Sequence, residues 1–234
     1  MPAAVAALPP TLIRRRTALD DLVRAVGELA GDSCRAVVAF GPAVAGHPDA
    51  PVDTAIVLAR DDLAVLRALA RRGSRFDRAG LAAPLVLTVD GIAASRDTFP
   101  LELLDIAQCH HPLHGDDPFP DLVLASDHVR LHCERELKAL SIALRRRLLM
   151  AAGDEDALTL ADCGDEMVRV ARGLLMLRGQ VAPREAAATL AAAGAAYGRS
   201  LAATLAVWRG ASGWDAFAAF YDEVSALWSA VDAH

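Results

Sequence analysis

His128 and His132 stand four residues apart, a spacing that places two imidazoles on one helix face and serves two-histidine metal sites. Glu136 continues that face. The run is not H-E-x-x-H and has no evident distant ligand, so a polar stripe facing solvent or a neighbouring domain is the expected role. Cys109, His110, His111 and His114 form a second group of zinc-type donors. Donors this crowded cannot all converge on one tetrahedral ion, and the segment reads as a surface turn with one structural histidine. Arg145, Arg146 and Arg147 close an amphipathic stretch, where cations suit the negative end of a helix dipole. A phosphate or RNA contact is the sharper reading of the same cluster. No Ser-His-Asp arrangement and no phosphate-cradling glycine loop can be assembled from the chain.

The elements that would position these groups follow from hydrophobic spacing. Leu19, Leu22, Val23, Val26 and Leu29 recur at helical period after Thr17 and Asp20, which form a capping-box start, and Gly31 ends that helix. Strands are expected near residues 36–40, 53–59, 84–89 and 100–106, with helices at 61–72 and 91–97. Beyond Pro120 no strand-like run appears. Helices are expected from Ser126 through Leu148, at 155–178, from Pro183, at 197–209, and from Trp214 through Val231. The last carries Trp214, Phe217, Phe220, Tyr221 and Trp228 as an apolar stripe expected to be mostly buried. The fold class is therefore α/β (α+β): a small mixed-sheet domain over residues 1–120 and an all-α helical bundle over 121–234.

Composition narrows the function. The formal net charge of -6 argues against a general attraction to nucleic-acid backbone, so nucleic acid is not an expected partner. No apolar run is long enough for a membrane span, which excludes a membrane role of that kind. Met1 and the nine residues after it are apolar but lack a preceding basic region, which reads as a frayed terminus rather than a secretory signal. The four cysteines, Cys34, Cys109, Cys133 and Cys163, form no C-x-x-C pair and read as idle thiols of a cytoplasmic protein.

Gly41-Pro42-Ala43-Val44-Ala45-Gly46 lies between two expected strands and is followed by Val52-Asp53-Thr54-Ala55-Ile56-Val57-Leu58. This resembles the polymerase-beta-like nucleotidyltransferase superfamily, in which a strand ends in glycine-serine, a short helix follows, and the next strand carries Asp-x-Asp. Phe99-Pro100-Leu101-Glu102-Leu103-Leu104-Asp105-Ile106 and Leu113-His114-Gly115-Asp116-Asp117-Pro118 resemble the third catalytic strand and the LYGEDP-like turn of bacterial members. His110 falls where the family often has a histidine. The bundle resembles the HEPN or kanamycin-nucleotidyltransferase type that follows in such proteins.

The resemblance implies Asp53 as the first metal-binding acid, Glu102 as the third, and Gly41 and Gly46 as the nucleotide-binding turn. Nucleotidyl transfer needs carboxylates that hold two magnesium ions about 4 Å apart. Here the second acid position is Ala55, and the serine position is Pro42, which has neither hydroxyl nor backbone N–H. Without the family, Gly41 and Gly46 are turn glycines and Asp53 opens an edge strand. The expectation is a catalytically impaired protein with no catalytic residue and no cofactor, in which Asp53 and Glu102 are vestigial. Its role would be ligand-binding, regulatory or interaction, with a small-molecule or nucleotide ligand in the interdomain cleft. The alternative is a divergent active nucleotidyltransferase that uses Asp53, Glu102 and Mg with an NTP. A third reading has the bundle mediating a homodimer. HEPN ribonucleases carry an Arg-x4-6-His motif that the bundle lacks, so ribonuclease activity is not expected.

Overall fold

The computed structural model describes residues 7–120, 122–154, 158–160 and 162–232. The expected frayed start falls mainly on residues outside this set, as do the expected helix start at 155 and the terminal His234. The chain forms two compact units: Met1–Arg96 with Cys109–Val123, and Asp97–Gln108 with Leu124–His234.

The first unit opens with a 3-10 turn, Pro10–Arg15, that runs directly into helix α1, Arg16–Ala30. That continuity replaces the expected Thr17 cap, since α1 begins at Arg16 with no side-chain cap bond. Leu19, Leu22 and Val26 form the buried face of α1. Strands β1, Cys34–Phe40, and β2, Asp53–Leu58, come next. Helix α2, Leu63–Ala70, is capped by Asp62, whose Oδ1 accepts from the amides of Ala64 and Val65 at 2.8 and 3.3 Å. Helix α3, Gly73–Arg78, leads to β3, Leu85–Thr88, and α4, Val89–Ala94. Strand β4, His110–Gly115, completes a four-stranded sheet in the order β3-β2-β1-β4.

Within the sheet, β1 is antiparallel to both neighbours and β2 is parallel to β3. Val37 and Val38 at its centre have no exposure. Such a continuous apolar run is what a strand covered on both faces requires.

The second unit is helical throughout its described residues: α5, Pro100–Gln108; α6, Ser126–Ala151; α7, Cys163–Leu177; α8, Ala186–Tyr197; α9, Ala202–Trp208; and α10, Trp214–Asp232. Helices α7 and α9 approach so closely that a Cβ on Gly164 would stand 2.6 Å from the Trp208 Cα, and only glycine permits that crossing. Glu223 of α10 supplies the N-terminal cap of α9. Its carboxylate accepts from the amides of Ala203 and Thr204 at 2.9 and 2.8 Å and from the Thr204 hydroxyl at 2.9 Å.

Two further expectations are corrected. The run at 100–106 is not a strand but part of α5. Pro100 occupies the first helical position, where its missing N–H costs nothing, and Leu101, Leu103, Leu104 and Ile106 are all buried. The segment read as a surface turn at Cys109 to His114 instead forms β4, entered by a buried Cys109. Pro112 is tolerated there because β4 is an edge strand, and the pairing with β1 shifts register between Val37 and Val38. The stripe on α10 is mostly buried, as expected, except at its first residue. Phe217 and Phe220 are core, Tyr221 and Trp228 are half-buried, and Trp214 is 43 % exposed.

Candidate functional site

The loop after β1 is a compact turn anchored from within. Ala43, Val44 and Ala45 are buried, so the turn rests on an apolar footing. The amides of Val44 and Ala45 donate to the Gly41 carbonyl, both at 3.0 Å, and the His47 amide donates to the Pro42 carbonyl at 2.9 Å. Gly41 and Gly46 have φ of +76° and +102°, conformations that favour glycine. The hairpin register sets Phe40 opposite Asp53. This brings the Asp53 carboxylate against Gly41, and a Cβ there would lie 2.3 Å from Asp53 Oδ2. The structure therefore does bring Gly41 and Asp53 together. What the turn offers an anion is small, because three of its amides are engaged internally and Pro42 has none.

Strand alternation puts Ala55 on the same side of β2 as Asp53. Ala55 pairs with Val38 on one side and Leu85 on the other and has no exposed surface. A second metal-binding acid is absent there, and the position is a packed methyl site. β2 is an inner strand, not the edge strand that a purely structural reading of Asp53 assumed. The strand beside β1 that could carry a third acid is β4, and residues 110–115 contain none. Glu102 stands instead on α5, in the second unit. Magnesium chemistry of the two-ion kind needs several well-placed oxygens, and the first unit supplies one carboxylate for it. These residues do not fit the metal pair. Among the described residues, no three His, Cys, Asp or Glu side chains gather as a metal-binding group, the His110 and His128 clusters included.

The groups at Cys109 to His114 have structural partners. His110 meets Phe119 edge-on at 5.7 Å and lies 3.4 Å from Asp117 Oδ1, while His111 is 2 % exposed. Two members of the arginine cluster have partners within the helical unit, and α6 continues past the cluster to Ala151. Arg145 donates to the Tyr221 hydroxyl at 2.8 Å and Arg147 to the Thr159 carbonyl at 2.8 Å.

Sequence reasoning missed a second constellation, an ionic lattice within the bundle unit. Glu102 and Asp105 lie one turn apart on α5, and Arg169 and Arg172 lie one turn apart on α7. Arg169 Nη1 sits 3.5 Å from Glu102 Oε1, and Arg172 Nε sits 2.8 Å from Asp105 Oδ1. Arg172 is fully buried and also donates to the carbonyls of Pro183 and Arg184 at 2.8 and 2.9 Å. Burial pushes the Asp105 carboxyl up, with the guanidinium groups of Arg172 and Arg169 pulling it down. Glu166 is also pushed up by burial, against the pull of Arg169. The signal was available, since carboxylates three apart and arginines three apart are complementary rows once both segments are helical.

His132 belongs to this lattice rather than to a solvated stripe, being 5 % exposed. Burial lowers its pKa below the ordinary 6.5, Arg135 lowers it further, and Glu102, Glu136 and a hydrogen bond to the Asp97 backbone act the other way. Between the lowered folded value and 6.5 the unfolded chain binds more protons than the folded one. Stability should therefore fall on acidification through that window. His132→Gln is expected to flatten this part of the pH–stability profile, as measured by urea unfolding at pH values around and below 6.5. An unchanged slope would place the titration elsewhere.

The thiols are not poised for chemistry. Burial drives Cys133 to about 12 and Cys163 to about 11, and it raises Cys34. Among the described residues no helix is long and apolar enough to cross a membrane. Compared with known proteins, the chain matches no family model and no curated protein.

Proposed function

We propose that this chain is a nucleotidyltransferase-like protein that has lost transfer chemistry and acts as a ligand-binding, regulatory or interaction protein. The observation that carries the reading is at β2, where Asp53 lies against Gly41 and the position two residues on is the fully buried Ala55. Transition-state charge in phosphoryl transfer is stabilised chiefly by positioned metal ions and donors. A methyl group at the second acid position and a proline at the phosphate-binding turn remove parts of the same clamp.

Incubation with labelled ATP, CTP, GTP or UTP and magnesium or manganese tests this. No pyrophosphate and no labelled product above the Asp53→Asn background is the expected result. Turnover that disappears in Asp53→Asn would overturn the proposal and establish a divergent active nucleotidyltransferase.

A further inference from the structure

Helices α1, α2 and α3 and strand β3 of the first unit surround an open cavity of about 420 Å³. Its wall is apolar, with Leu22, Leu66, Leu69, Phe76, Leu81 and Val86 as the larger side chains. Protein interiors leave few voids bigger than a water molecule, whereas small-molecule pockets span about 300–1,000 Å³. The space falls within that range.

One ionisable side chain lines it, Asp77, which is exposed near the C-terminal end of α3. Three arginines close to Asp77 in the chain have partners of their own. Arg75 pairs with Asp21, Arg72 pairs with Glu28 at 3.2 Å, and Arg78 donates to the Ser74 carbonyl at 2.9 Å. Among the described residues no arginine or lysine lies within ion-pair distance of Asp77. Asp21 and Glu28 carry ion pairs, whereas Asp77 does not.

We propose that the cavity binds a small organic cation, with its apolar body against the leucines and Phe76 and its ammonium group at the mouth beside Asp77. Burying the body removes apolar surface from water. The head stays at the rim, where it keeps part of its hydration and avoids the cost of full charge burial. The inference goes beyond the preceding one, because the cavity shares no lining residue with the Gly41 turn and its occupancy does not depend on whether nucleotides are transferred.

The test is calorimetric titration of the full chain with phenylbutylamine, phenylbutanol and phenylbutyrate, which share a body and differ in the charge of the head. Saturable binding is expected, with the amine tighter than the alcohol by about fivefold, the yield of a rim ion pair, and the carboxylate weakest. Asp77→Asn should bring the amine to the level of the alcohol. Gly73→Phe should remove binding of all three, and the substitution is admissible because a Cβ on Gly73 meets nothing within 4 Å. Ala70→Phe, at the exposed end of α2, is a second block should the first variant fold poorly. No saturable binding of the amine, equal affinity for amine and alcohol, or amine binding that survives both blocks would each overturn the proposal.

Discussion

Arg172→Ala is expected to cost about 3–5 kcal/mol of stability, the range for breaking a buried ion pair from one side. The side chain is fully buried and answers three acceptors: the Asp105 carboxylate and the carbonyls of Pro183 and Arg184. Truncation leaves the Asp105 carboxylate and the Arg184 carbonyl without that donor, while the Pro183 carbonyl keeps the Thr189 hydroxyl at 2.7 Å. Arg172→Lys should rescue little, because an ammonium group cannot span a fork of three acceptors. Asp105→Asn should cost less than Arg172→Ala, since the guanidinium keeps both carbonyl partners. The chain's three tryptophans, Trp208, Trp214 and Trp228, all lie in the helical unit, so intrinsic fluorescence during urea unfolding reports on the unit that holds the pair. A cost under about 1 kcal/mol, the level of an exposed pair, would show that the lattice is idle.

Phe220→Ala is expected to cost about 3–5 kcal/mol, the range for emptying an aromatic core position. Phe220 has no exposure, and it continues a buried row of Phe217, Val224, Leu227 and Val231 at alternating spacings of three and four along α10. Such a row meets neighbouring helices over its whole length, so the void cannot close by a local shift. Trp214→Ala is the matched control. Trp214 is 43 % exposed and stacks on Phe217 at 6.1 Å, and its loss should cost about 1 kcal/mol, the scale of one aromatic pair. Far-UV circular dichroism is the probe for this pair of variants, because the control removes a fluorophore. Equal costs would mean that the α10 face is assigned wrongly.

The two variants mark where local pattern is informative. The row at 217, 220, 224, 227 and 231 was readable as a helix face because water exclusion imposes its period along the chain. Only the start of that stripe departs from the expectation, since the exposure of Trp214 depends on what the neighbouring helices cover. The β1 and β2 strands were readable for a similar reason: β-branched and apolar runs bounded by glycine and proline have few other conformations. The Asp53 and Gly41 contact was half legible. The two residues were named together, but their approach is a product of the register that sets Phe40 opposite Asp53.

By itself, the sequence determined a small mixed sheet followed by helices, a methyl group rather than an acid at Ala55, and a residue with neither hydroxyl nor backbone N–H at Pro42. Tertiary structure decided the state of residues 100–108. Leu101, Leu103, Leu104 and Ile106 suit either period, because a short segment buried on most sides carries no periodic signature. Packing against α6 and α7 suits the helix, and only as a helix does it set Glu102 and Asp105 in a row facing Arg169 and Arg172. Tertiary structure also made β4 of a histidine- and proline-bearing stretch, by offering it the free edge of β1. Local period records which residues avoid water, whereas partners distant in the chain are chosen by contacts that no local window contains.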